Sequence, residues 1–499
     1  MVHPSTERLG PFGVALAAAA ATAAFFLAYA MVRYVSVGGF FDHIEPNLGI
    51  AAWRLLEGHP LYQGHGEWPI FGNYYGPMIY LTHAGALAVA GGSLAASKLA
   101  NSLAAGGAVL LFFLYARRRF GPTYACAGTL MFLAFMLLFA PYTIWVRPDP
   151  FVIFLVTLAI FSRDLPRDSV GKWTPHLIIG ACIGLAVNFR VHSFIYFLPV
   201  MIDLCGWRNI RQLAIIILFS LVVFLAPFTL EQVSLVDYVS GLARQVTGRS
   251  NDISLLWVAL RYLLPYLSPL LVLFALLARG RNHVDGRDAV YFAALCGSIL
   301  FIIYPATFSA AGPYHFLPLA PITVDAVLRF SRGFADKPKA RMAALALIPA
   351  VLLAISIPVQ RRLDRNLNRM EAETVAEEVM AIARRYQGET VQMGYGQSFE
   401  NYRLTFVKPV LAYAGQPVIV DSHVIMELSS VGVDVTPHLI EEFSSCRTRH
   451  WLIPKDEPPF RLQSYNDNHP LFGKSAETFV EHYEKTATYK YFDLWSCKG

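Results

Sequence analysis

Residues 11–46 read PFGVALAAAAATAAFFLAYAMVRYVSVGGFFDHIEP: one apolar run over roughly 12–35, a Gly38-Gly39 pair, then the acids Asp42 and Glu45 with Pro46 behind them. About 20 apolar residues cover the ~30 Å of a bilayer's hydrocarbon, so the run is long enough to span it. The acids mark where the chain leaves lipid. Similar runs recur at roughly 95–116, 122–141, 150–162, 174–189, 193–206, 212–228, 255–278, 289–305, 315–328 and 342–358, about eleven spans in all. Several are shorter than a bilayer crossing, so their ends are expected to reach into the flanks. A cleaved signal peptide ending near Ala28-Tyr29-Ala30 is the alternative for the first run, but its apolar core exceeds the ~7–15 residues of such segments.

Composition agrees. Of 499 residues, 55% are hydrophobic and only 15% charged, with a mean hydropathy of +0.44. A soluble domain carries about 25% charged residues, so disordered, collagen-like and single-core soluble classes are excluded. The net charge of +6 is spread in short clusters between the apolar runs rather than over one basic face, which argues against a nucleic-acid partner.

Those clusters set the expected topology. Arg117-Arg118-Arg119, Arg163, Arg167 and Lys172, Arg208 and Arg211, Arg279, Arg281 and Arg287, and Arg329 to Arg341 all fall on one side provided the Gly- and Ala-rich stretch 76–92 does not cross, as the bias of positive charge toward the cytoplasm requires. The stretch is therefore read as re-entrant or interfacial. The N-terminus is then cytoplasmic, the first loop (about 36–94) external, and residues 359–499, rich in Glu, Lys, Arg, Asn and Tyr, an external or periplasmic α/β domain following a membrane domain over 1–358. In that tail Glu371–Tyr386 reads as an amphipathic helix stopped by Gly388, and Thr390–Met393, Pro417–Val420 and His450–Ile453 as strands. Cys446 and Cys497 both fall there, where an oxidising compartment would let them pair; two reduced thiols are the alternative.

Apart from Asp203 and Asp325 near inner ends, nearly every charge bordering a span lies at or near an outer end rather than mid-bilayer, where a proton- or ion-coupled transporter keeps them. Pro46 suits the first turn of a helix running to about Glu57, with Leu48, Ala51, Ala52, Leu55 and Leu56 on one face lying flat on the membrane. Asp42 and Glu45 precede it, where the helix dipole favours a carboxylate. Each is either a general base or a cap. Trp145-Val146-Arg147-Pro148-Asp149-Pro150 forms a second outer turn, in which Arg147 suits an anionic headgroup with Asp149 orienting it; an Arg–Asp pair closing the loop is the alternative. Arg190, His192, Arg244, Arg249, Arg261 and His315 are further outer cations suited to phosphate. His43, His59 and His65 lack tight ligand spacing, so no metal site is expected and no cofactor required. Mg²⁺ or Mn²⁺ remains a minor alternative, should the fold gather Asp42, Glu45 and Asp149. No phosphate-binding glycine loop or nucleotide fingerprint occurs.

Asp42-His43-Ile44-Glu45, Glu57-Gly58-His59-Pro60-Leu61-Tyr62, Tyr75-Gly76-Pro77 and Arg147-Pro148-Asp149, in this order on one side of the membrane, resemble the polyprenyl-phosphate-dependent glycosyltransferases of the GT-C superfamily, which holds aminoarabinose transferases and protein O-mannosyltransferases. The resemblance implies a polytopic α-helical, GT-C-like bundle with interfacial helices in the first external loop, set in the inner (plasma) membrane. It implies inverting transfer of a sugar from a polyprenyl-phosphate donor to a glycan, lipid or protein acceptor. Asp42 carries over as general base, with Glu45 as helper. Arg147, Asp149, Arg190, His192, Arg261 and His315 would serve the donor phosphate, and His43, His59, Tyr62, Tyr75 and Tyr314 the cavity. The chain departs from the group in having Asp-x-x-Glu for adjacent acids, which leaves the division of roles between Asp42 and Glu45 open, and Arg-Pro-Asp for Asp-x-Asp, which lowers the case for a bound metal. A lipid-linked sugar flippase and a membrane-anchored envelope-polymer assembly component are the other classes considered.

Overall fold

The computed structural model describes residues 9–62, 75–165, 171–206, 208–248, 253–279, 286–308, 311–332, 338–464 and 469–499; His65, Arg167, Arg249 and Arg281 fall outside them. Helix α1 (Pro11–Ser36) is followed by α2 (Ile44–Leu56), α3 (Pro77–Ala90), α4 (Leu94–Phe120), α5 (Pro122–Leu138) and α6 (Asp149–Arg163). Among the described residues, six helices are long and apolar enough to cross a bilayer: Pro11–Ser36, Leu94–Phe120, Ile210–Thr229, Ser254–Leu271, Gly286–Ala306 and a stretch within Pro338–Arg385. The expected count of about eleven is not reached by that measure, because α5 has 17 residues and α6 15, while 174–189 and 191–205 are also short apolar helices. α3 has 14 residues, about 21 Å of rise, and falls short of the hydrocarbon thickness.

Local chemistry sets the ends. Ser93 caps α4 by accepting from the Ala96 N–H at 3.1 Å, and Arg117, Arg118 and Arg119 close it, where the carbonyl end of the dipole favours cations. Gly121, at φ 93°, then turns the chain into α5. The core of the bundle is α5, buried along nearly its whole length against α1, α4 and the helix Pro338–Ala372. That last helix runs past position 358, so the expected domain boundary falls inside a continuous helix.

At the arginine-rich end of the bundle, Arg163 reaches Asp203 at 3.0 Å and Asp325 at 3.4 Å, and Arg329 reaches Asp325 at 3.0 Å and Asp203 at 2.5 Å. Tyr115 donates to Asp325 from α4. This buried network ties four elements together.

The tail carries a four-stranded sheet in the order β1-β2-β4-β3: β1 (Val391–Met393) parallel to β2 (His450–Pro454), and β4 (Phe492–Cys497) antiparallel to both β2 and β3 (Tyr483–Thr488). Two of the expected strands are present. Residues 417–420 are not a third: the Gln416 side chain accepts from the Val391 N–H at 2.9 Å and the Gln392 side chain from the Ile419 N–H at 3.3 Å, so side chains replace the ladder. The amphipathic helix is Val375–Arg385, beginning after a break at Glu373-Thr374. Cys446 and Cys497 are joined by a disulfide.

α2 differs from its expected place. It starts at Ile44, and its residues from Glu45 to Ala52 are buried on every side. One face packs on α3, the other on the tail helix Pro409–Tyr413, so tail protein covers the helix where lipid surface was expected.

Candidate active site

Asp42 stands two residues before α2 and accepts the Ile44 N–H at 2.8 Å. Its other oxygen is in an ion pair with Arg147. Arg147 donates in turn to the Tyr75 hydroxyl at 2.9 Å. The Arg147 backbone is fixed by Asn101 of α4, whose amide donates to its carbonyl at 2.7 Å. Burial alone would raise the Asp42 carboxyl; Arg147, His43 and the Ile44 N–H outweigh it and hold the group below the usual carboxylate range.

Glu45 is wholly buried and accepts four hydrogen bonds: the Phe41 and Asp42 N–H groups at 2.7 and 3.0 Å, the Val146 N–H at 2.7 Å, and the Tyr34 hydroxyl. It therefore ties the first loop to the Arg147 turn. Burial first, and the Asp42 charge second, push its carboxyl up to about 7, while Tyr34 and Val146 act against the rise. Lys98, fully buried in α4, donates to the Tyr34 and Val37 carbonyls at 3.0 and 2.7 Å and so closes the end of α1 that leads into this loop.

The expected partnership of Asp149 with Arg147 is corrected. Asp149 makes a two-point pair with Arg190, at 2.9 and 3.1 Å, and takes the Trp145 indole N–H at 3.2 Å. At the start of α6 it faces the end of the helix Thr174–Phe189, whereas Arg147 precedes two prolines and turns back to Asp42. The two guanidinium groups flank one ring, Tyr314, at 5.9 and 5.3 Å. Gly76 lets the chain entering α3 lie against the end of the helix Thr174–Phe189, because any side chain there would strike the Asn188 carbonyl.

A cavity of about 860 Å³ opens beside these pairs, with Tyr75, Arg190, His192, Tyr314 and His315 in its wall. His192 and His315 share a hydrogen bond of 3.0 Å. Asp42 and Arg147 stand one layer back, behind Tyr75. The Asp42 side chain keeps 21% exposure. Opposite in character are Leu300, Phe301 and Tyr304, which line the cavity yet are 65%, 64% and 61% exposed on a helix apolar enough to span a bilayer. The cavity thus opens sideways toward lipid.

Other expected members lie elsewhere. Arg261 is exposed on the helix Ile253–Arg279 and does not line the cavity. His59 is exposed at the end of α2, and Arg244 is exposed as well. Tyr62 is buried one layer away and donates to the Tyr75 carbonyl at 2.8 Å. His43 packs against His423 of the tail, ring centres 4.8 Å apart. Asp42, Glu45 and Asp149 are each engaged by cations or donors, and among the described residues no three His, Cys, Asp or Glu side chains cluster as a metal site.

Sequence reading missed Lys98, Asn47, Tyr238 and His423. His423 lines the cavity from the tail. It follows Asp421, which caps the helix Ser422–Ser430 by accepting from the His423 and Val424 N–H groups and forms a buried ion pair with Lys408. Burial, then the adjacent His43, bring the His423 imidazole down to about 3, so it is neutral.

No protein-family model and no curated protein sequence matches the chain. Among solved structures, ArnT from Cupriavidus metallidurans bound to undecaprenyl phosphate is 13% identical over 97% of both chains, with a TM-score of 0.64. ArnT in the apo state is 12% identical over the same shares, with a TM-score of 0.59. The arabinosyltransferase EmbB from Mycobacterium smegmatis matches 83% of this chain and 40% of its own at a TM-score of 0.44. In fold, the chain resembles the GT-C membrane glycosyltransferases, the group to which its first-loop acids and Arg-Pro-Asp turn had pointed.

Proposed function

We propose that the chain transfers a sugar from a polyprenyl-phosphate donor to an envelope glycan, lipid or protein acceptor on the external face of the inner membrane, by an inverting displacement with Asp42 as base. The observation that carries this reading is the pairing of two acids with two arginines, Asp42–Arg147 and Asp149–Arg190, beside a cavity open to lipid. Undecaprenyl phosphate bound to the similar ArnT structure supports the donor class. The isoprenoid chain would lie along Leu300, Phe301 and Tyr304, leaving the phosphate to Arg190, His192 and His315.

The acceptor oxygen attacks the anomeric carbon while its proton passes to Asp42. The bond from that carbon to the phosphate oxygen breaks with its electron pair, and the departing phosphate is held by guanidinium groups. Arg147 links the two events. Drawn toward the phosphate, it leaves Asp42 without its counter-charge and so raises the basicity of Asp42 when a base is needed. A phosphate monoester departs without an acid, so one base and several cations suffice.

A translocating carrier would need polar groups free to serve a path to the other leaflet, whereas the buried Arg163, Asp203, Asp325 and Arg329 at the arginine-rich end are paired with one another. Incubating the purified chain with radiolabelled polyprenyl-phosphate sugars and a membrane extract tests the proposal. Transfer of label is expected, with Asp42→Asn slower by about 10²–10⁴-fold. Near wild-type transfer by that variant would remove Asp42 as base.

A further inference from the structure

The helix Pro338–Ala372 continues past the apolar run that ends at about 358, with the sequence Arg361-Arg362-Leu363-Asp364-Arg365-Asn366-Leu367-Asn368-Arg369-Met370. At 3.6 residues per turn this segment has three faces. Leu363, Leu367 and Met370 are buried. Asp364, Asn368 and Glu371 turn to the end of α1, where Arg33 reaches them at 3.1, 2.6 and 2.8 Å. Arg361, Arg362, Arg365 and Arg369 are all exposed and share one remaining arc of about 100°. The acids of their own segment are thus held by Arg33. In the topology read from the sequence this end is external, where arginine is disfavoured, so four on one face call for a reason. Arg361, Arg365 and Arg369 follow one another at about 6 Å along the axis, a ladder about 12 Å tall. The headgroup layer beyond the hydrocarbon is only about 5–7 Å thick, so lipid heads meet the foot of the ladder while its top stands in water.

The foot of the ladder lies beside the reactive groups. The Gln360 side chain donates to the Leu137 carbonyl at 2.5 Å, which fixes the helix against the end of α5, and the Tyr142 ring just beyond is within reach of the charges of Arg362, Asp42 and Arg147. Tyr142 packs on Trp145 at 4.7 Å and on Tyr314 at 5.5 Å, yet among the described residues neither it nor the helix Pro338–Ala372 lines the donor cavity. Asp42 does not line it either and still keeps 21% exposure, so its open surface faces another side. We propose that the arginine face docks the acceptor, an acidic glycan with a negative group on each sugar unit, and leads it past Tyr142 to Asp42 from a side the donor does not use. The inference rests on the transfer reading above and adds the acceptor's charge and its route. A single exposed ion pair contributes little, whereas several at a fixed spacing act together. A sugar ring is about as long as one step of the ladder, so successive carboxylates or phosphates meet successive guanidinium groups, each offering the forked geometry such anions fit.

The test measures binding of hexagalacturonate, of the uncharged maltohexaose and of phosphatidylglycerol micelles to the full chain in neutral detergent at low salt. Hexagalacturonate is expected to bind about tenfold tighter than maltohexaose and to lose that margin as salt is raised. Arg361→Ala with Arg365→Ala should remove most of the margin, and Arg361→Lys with Arg365→Lys should keep most of it. Both pairs should leave the affinity for undecaprenyl phosphate unchanged, which also reports a folded chain. Should the alanine pair lose undecaprenyl phosphate, Arg361→Gln with Arg365→Gln takes its place, since it removes the charge and keeps the stem. In the transfer assay above, the alanine pair should raise the amount of extract that gives half-maximal transfer about tenfold and leave the plateau unchanged. A margin that survives removal of both charges, or phosphatidylglycerol micelles that bind as tightly as hexagalacturonate, overturns the docking face. A wild type that transfers no label overturns the transfer reading and the acceptor role with it.

Discussion

Glu45 holds the site together by accepting from Tyr34, Phe41, Asp42 and Val146, and this makes its titration visible in stability. Its folded carboxyl titrates near 7 against 4.5 for the free group. The unfolded chain therefore gives up this proton first as pH rises, and the stability Glu45 contributes is full below about 4.5 and lost as pH passes through about 7. Melting temperatures of the purified chain should fall across that window, with Asp42 and Lys98 as the charged neighbours. Glu45→Gln should flatten the slope, and an unchanged slope would count against the assignment. Lys408 offers a second check. Replacing it by Ala strands the Asp421 carboxylate in the interior and should cost about 3–5 kcal/mol, read as a lowered denaturation midpoint, whereas the double change with Asp421→Asn should recover part of it. At this scale the sequence named Asp42, Glu45, Arg147, Asp149 and Arg190 from their places at span ends. It did not reveal who pairs with whom, because the partners are separated by 105 and 41 positions and local spacing carries no signal over such distances. Lys98 stayed hidden because its role comes from what surrounds it.

Among the elements, α2 was legible as an amphipathic helix but not in its environment. Its apolar face looks the same whether lipid or protein covers it, and only the tail's Pro409–Tyr413 helix decides. β1 and β2 were readable as short apolar runs flanked by turns, while β3, with the burial pattern of a mostly exposed edge, offered no such run. The disulfide from Cys446 to Cys497 closes a separation of 51 residues and pins the last residue of β4 to the turn that follows the helix Thr436–Ser444. Loop-closure entropy alone makes such a cross-link worth about 4 kcal/mol. Cys446→Ser with Cys497→Ser should accordingly lower the unfolding midpoint of the tail, and the wild type under reductant should follow it, as monitored by circular dichroism of the sheet.

For the molecule as a whole, hydrophobicity alone made the membrane class plain, since 55% apolar residues cannot be buried in one core. The number of crossings was not plain, because helices such as α5 are apolar through packing against other helices as well as through facing lipid. The two ends of the bundle divide their tasks. One end carries the large cavity and the other is held together by the paired Arg163, Asp203, Asp325 and Arg329. Arg163→Ala leaves two carboxylates short of a partner and should cost about 3–5 kcal/mol, seen as a lower melting temperature. Transfer measured well below that temperature should stay near wild type. A large loss of turnover there would tie the network to the reaction cycle instead.

The sideways mouth between Leu300, Phe301 and Tyr304 changes what concentration means for this protein. A ligand that arrives through that mouth searches a plane, so its encounter rate follows its mole fraction among the surrounding amphiphiles rather than its amount per litre. Diluting a micellar assay with buffer should leave turnover almost untouched, whereas adding detergent at fixed lipid substrate should slow it in proportion.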